Sequence, residues 1–150
     1  MAIDVFLSID GIRGDSTDAQ FPDAIVITSF NLGESEPPGG KVAFSDISVR
    51  MTSSQASPEL FLACAEGSRF KRAVLALRRA GQQVAYLTFT LDNVVIASFS
   101  VSGASADDNT MEAVSLTFGR IHFTYVKFNL DGSIGGTFVA GWDVLANTKI

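Results

Sequence analysis

A chain of 150 residues with a net charge of −5 and 47% hydrophobic residues has the size of one domain with a sizeable core, and its acid surplus weighs against a nucleic-acid reader. No apolar run approaches the roughly 20 residues that cross a bilayer, and the first segment, with Asp4 inside its apolar run and no basic stretch before it, does not read as a secretory signal. Cys64 and His122 each occur once, which excludes an internal disulfide and leaves too few ligands for a zinc site built on those residues.

Taken in chain order, the elements are mostly strands. Ile3, Val5, Leu7 and Ile9 alternate with polar or aromatic neighbours and predict a first strand, because successive strand residues point to opposite faces. A polar connection runs from Gly11 to Phe21. Residues 24–32 are apolar on both parities, which predicts a strand covered on both sides, within the domain or by a partner. The segment Glu34-Ser35-Glu36-Pro37-Pro38-Gly39-Gly40 cannot continue a ladder, since its prolines lack donors and its glycines loosen the backbone. It predicts a protruding loop, and the strand Lys41–Met51 follows, with a bulge expected near Ser45-Asp46.

Ser57-Pro58-Glu59 predicts the start of the one helix, with Ser57 as cap and Leu60, Phe61, Ala63 and Cys64 as its apolar stripe, and Gly67 suits its end. Strands are expected over Phe70–Arg79 and Val84–Leu91. Asp92-Asn93 predicts a tight turn into Val94–Val101. A loop with Asp107 and Asp108 precedes a long strand whose apolar parity is Val114, Leu116, Phe118 and then Ile121, Phe123, Tyr125. That slip of one predicts a bulge at Gly119-Arg120. A final strand, Thr137–Leu145, closes the chain. The fold class predicted is mostly β: an antiparallel β-barrel of about eight strands with one short flanking α-helix, a single domain over 1–150. Most of the twelve Phe fall on the apolar parity of their strands and are assigned to the core.

Chemistry-bearing constellations are few. His122 alternates with Ile121 and Phe123 and points away from their face. Asp107-Asp108 matches no calcium-loop spacing, and no nucleophile elbow, zinc-protease, phosphate-loop or dinucleotide motif is present,. The expectation is no catalytic residue, no cofactor and no metal. Five of the eleven basic residues fall in 69–79 (Arg69, Lys71, Arg72, Arg78, Arg79), against seven acids and one base in residues 1–40. Such a strip is a solvated strand face, or it meets an acidic strip on a neighbouring copy.

The ordered pieces Phe6-Leu7-Ser8-Ile9-Asp10-Gly11-Ile12-Arg13-Gly14-Asp15-Ser16, Phe44-Ser45-Asp46-Ile47-Ser48, Ser57 to Gly67, Ala73-Val74-Leu75 with Arg78, Glu112 to Phe118, and Gly141-Trp142-Asp143 resemble the haemolysin-coregulated proteins (Hcp), inner-tube subunits of bacterial type VI secretion systems. The resemblance implies a barrel with a flanking helix, six copies to a ring, and rings stacked into a tube inside a contractile injector. The implied partners are further copies, effector proteins in the lumen, and sheath and spike components, with no nucleic acid and no membrane insertion. The implied location is the cytoplasm before firing and the extracellular space or target cell after it. The resemblance places the arm over 31–41 at contacts between rings, with Asn31, Glu34, Glu36, Pro37, Pro38 and Lys41 as candidates. Phe44, Asp46, Arg78 and Arg120 are the lateral-contact candidates. Residues 129–150 read as a C-terminal extension, either a last barrel strand or a partner-facing addition. The rival readings are a phage tail-tube-like protein, a monomeric β-barrel binding module, and an enzyme using Asp107, Asp108 and His122.

Overall fold

Period-two hydrophobicity becomes twelve strand segments and one helix among the residues that the structure, a computed structural model, describes: 2–35, 43–44 and 46–150. The strands are β1 (Ile3–Ile9), β2 (Ile25–Ile27), β3 (Ser29–Asn31), β4 (Glu34–Ser35), β5 (Ala43–Phe44), β6 (Ile47–Thr52), β7 (Arg69–Arg79), β8 (Leu87–Ser102), β9 (Met111–Thr117), β10 (Arg120–Phe128), β11 (Ile134–Asp143) and β12 (Thr148–Lys149), with α1 (Ser57–Glu66) between β6 and β7. All pairings are antiparallel. The expected fold class is therefore the observed one, with more strand segments because bends interrupt the ladders.

The main sheet runs β12-β11-β10-β8-β7-β1-β2, and β8 also pairs β9, which pairs β6, which pairs β3. If β2 and β3 are taken as one strand bent at Thr28, the path β1-β2/β3-β6-β9-β8-β7 returns to β1. Thr28 makes that bend by donating both its N–H and its hydroxyl to the Arg50 carbonyl, at 2.8 and 2.9 Å. The ladder is interrupted there, so the barrel is not strictly closed. The strand expected over 24–32 is thus split. Its two-sided apolarity resolves into buried Ile25 and Ile27 facing the core and an exposed Val26.

Inside sit Leu7, Ile47, Met51, Leu75, Leu91 and Leu116, all fully buried. The helix packs against β8 and sends Leu60 and Ala63 inward. Its start differs from expectation. Ser57 is the first helical residue, Ala56 is the cap, and no side chain caps it. Ser57 Oγ instead accepts the Ser54 N–H and donates to Oε1 of the buried Glu112, whose Oε2 accepts from Ser53. A carboxylate from β9 thereby fastens the first turn, near the positive end of the helix. The end is as expected: Gly67 adopts φ 67° and its N–H reaches the Cys64 carbonyl, a left-handed stop that glycine adopts without penalty. Phe61 and Leu62 are exposed, while Cys64 is half-buried against the core, so the predicted stripe holds through Leu60, Ala63 and Cys64 and fails at Phe61.

A shared bend shapes the barrel. On β7 the core side passes from Ala73, Leu75 and Leu77 to Phe70. On β8 it passes from Phe89 and Leu91 to Val94 and Ile96. On the third strand it passes from Ile121 to Leu116 and Val114. All three parity changes fall at one level, where Phe70 faces Val94 and Asp92 faces Arg120. The slip read at Gly119 is real, and Asn93 matches it across the ladder. Asp92-Arg120 and Val95-Thr117 therefore belong to one unbroken register. Gly119 donates to the Asp92 carbonyl at 2.9 Å, and a β-carbon there would lie 3.1 Å from that of Asn93. The turn predicted at Asp92-Asn93 is corrected by the same geometry. Asn93 takes φ 57°, but one left-handed residue bends a strand, whereas a two-residue hairpin of type I′ needs two. β8 continues through the bend as a 16-residue strand.

Gly14 explains part of the N-terminal pattern. Its N–H bonds the Asp23 carbonyl at 2.7 Å, and an added β-carbon would stand 2.4 Å from the Ala24 carbonyl oxygen. Gly14→Ala is expected to push the 11–24 connection off β2 and to cost about 1–3 kcal/mol, the usual range for overpacking. Urea denaturation of the variant beside the wild type measures it.

Candidate functional site: an uncovered sheet face

β8 has two neighbours on one edge. Its second half pairs β9 inside the barrel, while its first half, Leu87–Asp92, pairs β10. β10 therefore leaves the barrel wall and carries β11 and β12 with it. Paired residues share a face, so three rows run outward from the core: Leu91-Ile121-Trp142, Phe89-Phe123-Ala140 and Leu87-Tyr125-Phe138. Ile121 is buried, but Phe123 is 44%, Tyr125 38% and Phe138 60% exposed. The Phe89 and Phe123 rings meet edge to face with centroids 4.7 Å apart, so the core's aromatic packing passes directly onto the surface. The opposite face of β11 exposes Val139. Contiguous apolar surface of this kind marks an interaction site.

The same strands also leave an open edge. β12 pairs β11 only at Trp142 and Asp143, and Ile150 donates to the Gly141 carbonyl. Among the described residues, no strand pairs β11 on that side from Ile134 to Ala140. An edge with free donors and acceptors beside an apolar face is a template for strand addition.

Charges fix the sheet internally. Arg72, Asp92, Arg120 and Asp143 stand in register on four adjacent strands, alternating in sign. Arg72 Nε donates to Asp92 at 3.0 Å and Arg120 Nε to Asp143 at 3.1 Å. The Ala146 N–H, and then Arg120, hold the Asp143 carboxyl below the usual range. Arg78, one of the lateral-contact candidates, is buried and serves its own chain. Its guanidinium donates to both oxygens of Asp18 and to Asp4, and it lies 5.2 and 5.5 Å from the stacked rings of Phe6 and Phe21. Arg79 sits over Tyr86. Much of the basic strip thus meets acids or rings of its own chain.

The remaining candidates fall in two places. Asn31 ends β3 opposite Ser48, and Glu34 in β4 pairs Phe44 in β5 through the backbone. Asp46 is exposed at the start of β6. These positions flank the segment 36–42, and Glu36, Pro37, Pro38 and Lys41 lie outside the described residues. Asp107 and Asp108 sit in the loop after Ser102, whereas His122 faces Thr90 and rests on Gly141. The length of β8 from Thr90 to Ser102 separates them, about 40 Å of strand at the usual rise. The structure does not bring that trio together. Among the described residues no group of three His, Cys, Asp or Glu is placed to hold a metal. The sequence reading missed Phe123, Tyr125 and Phe138 as surface residues; the signal available was Phe138-Val139-Ala140, apolar on both parities.

The family model described as "Type VI secretion system effector, Hcp" matches residues 6–125. The chain belongs to the Hcp family. Protein hcp1 of Pseudomonas aeruginosa is 30% identical over 99% of each chain. Among solved structures, Hcp1 from Salmonella typhimurium is 32% identical with a TM-score of 0.87, covering 99% of this chain and all of its own. A type VI secretion system effector from Yersinia pestis is 27% identical with a TM-score of 0.83, covering 94% of this chain and all of its own. The Hcp family model spans β1 through most of β10, and the Salmonella match takes in β11 as well.

The Arg78 clasp makes stability depend on pH through Asp18. Its hydrogen bond from Arg78 lowers its pKa from 3.8 to about 2. A carboxylate depressed in the folded state stabilises above its unfolded pKa and loses that contribution as pH falls through the folded value. Asp18→Asn is expected to melt lower than wild type by a constant margin at neutral pH and down to about pH 4, with the gap closing toward pH 2. Thermal melts across that window by circular dichroism measure it.

Proposed function

We propose that this chain is a non-enzymatic tube subunit whose copies assemble into six-membered rings that stack within a type VI secretion machine. The observation that carries the reading is the adjacent rows Phe89-Phe123 and Tyr125-Phe138, where a core face continues onto a hairpin that nothing among the described residues covers. Burying it against the next copy, with the open edge of β11 extending its sheet, removes both liabilities at once. An obligate interface of this kind buries more than about 2,000 Å². The segment 31–41, with Asn31, Glu34, Glu36, Pro37, Pro38 and Lys41, serves contacts between rings, and Phe44 and Asp46 after it serve lateral ones. Arg120, half-exposed beside Asp143, lies next to the lateral surface, whereas Arg78 is engaged by Asp18 and Asp4 of its own chain. Effectors in the lumen and the sheath and spike around it are the further partners, and the chain waits in the cytoplasm until firing expels it.

Light scattering decides the matter. The expected particle is six times the 15.9 kDa subunit. A strict monomer at about tens of micromolar, where an obligate interface is saturated, would sink the proposal and favour the solitary binding barrel. Phe138→Asp is expected to yield monomers with an unchanged far-ultraviolet spectrum, since Phe138 lies outside the buried core. Loss of the fold would mean that Phe138 is structural, and intact rings would mean that this face is not the contact.

A further inference from the structure

The hairpin β10–β11 ends in an exposed leucine at each pole. Leu130 is fully exposed at its tip, and Leu145 is 79% exposed in the turn that follows β11. The two poles lie about 30 Å apart, the length of β10 at the usual strand rise. An isolated exposed leucine on a loose turn would mean little. Here both turns are fastened. At the tip, Asp131 accepts the N–H and hydroxyl of Ser133, the Asn129 side chain donates to Ser133, and the Asn129 N–H bonds the Ser133 carbonyl. At the other pole, the Val144 N–H bonds the Gly119 carbonyl, the Ala146 N–H bonds Asp143, and Leu145 lies over Gly119. Little ordering remains to oppose docking at either end. Charges without an ion pair among the described residues differ in sign between the poles: Asp131 follows Leu130, and Lys149 stands across from Trp142 on the strand after the Leu145 turn, where Asp143 is paired with Arg120.

We propose that Leu130 and Leu145 form a head-to-tail contact between stacked copies, the Leu130 tip of one copy seated on the Leu145–Gly119 shelf of the next. Unlike ends that fit one another generate an open stack when repeated. This contact rests on the tube reading and adds a second axial site, far in sequence from the arm at 31–41. The occupant is a second copy because the knob, the shelf and the complementary charges are all in one chain, at opposite ends of one rigid element.

The test uses full-length rings of wild type, Leu130→Asp and Leu145→Asp, concentrated until wild-type rings stack, and viewed by negative-stain microscopy with sedimentation velocity alongside. Each variant is expected to form single rings with a wild-type melting curve and to need at least about tenfold more protein to stack, the loss of a central anchor. Mixing the two variants is expected to restore two-ring particles but not long tubes, because each variant keeps one good pole. The milder Leu130→Ser keeps the question open to measurement if an aspartate disturbs the turn. Variant rings that stack like wild type, mixtures that never pair, or wild-type rings that never stack overturn the inference while leaving the ring reading intact. Wild type that forms no rings overturns both.

Discussion

Three hydrogen-bonded strands must bend at the same level, and the architecture depends on that constraint. A parity slip in one strand of a ladder would throw its side chains to the wrong face, unless its partner slips too. Asn93 and Gly119 slip opposite one another, and β7 changes parity beside them between Phe70 and Ala73. The core then stays on the inside on both sides of the bend. The register of β8 is the same on both sides of the bend and shifts only beyond it, between Ile96 and Ser98, so the barrel curves there without losing its ladder.

The bend also creates the surface argued to be functional. Because β9 and β10 share one edge of β8, only one of them remains in the barrel wall. The other leaves with its apolar face attached. The Arg72-Asp92-Arg120-Asp143 row spans the junction in register, with one ion pair on each side of it: Arg72-Asp92 in the barrel wall and Arg120-Asp143 in the departing hairpin. Such pairs, partly exposed, add modestly to stability; their larger effect is to fix which residues stand opposite one another. A soluble solitary domain would be expected to cover Phe123, Tyr125 and Phe138. Among the described residues nothing covers them, and they are the surface that the proposed ring contact would bury.

The candidate site was partly legible. The loop expected over 34–40 is corrected at its start, where Glu34 and Ser35 pair Phe44 and Ala43 in a short ladder, and residues 36–40 lie outside the described residues. Arg78 was readable as a residue of consequence, though not as a buried clasp on Asp18 and Asp4. The aromatic face was not legible, because Phe123 has the same parity and chemistry as Ile121 beside it. One is buried and the other is not, and only the extent of β8 decides between them.

What the sequence determined by itself is what short-range periodicity controls: the strands and their faces, the helix with its Gly67 stop, and the slip at Gly119. These depend on neighbours one to four residues away, where steric rules and the two repeat lengths act directly. The tertiary structure decided that Asp92-Asn93 is a bend and not a turn, that Ser57 serves Glu112 across 55 residues, and that Phe61, Phe123 and Phe138 stay at the surface. Those outcomes depend on which distant strand lies alongside and how far it reaches. No local pattern encodes that, because burial belongs to the pair of elements and not to either one.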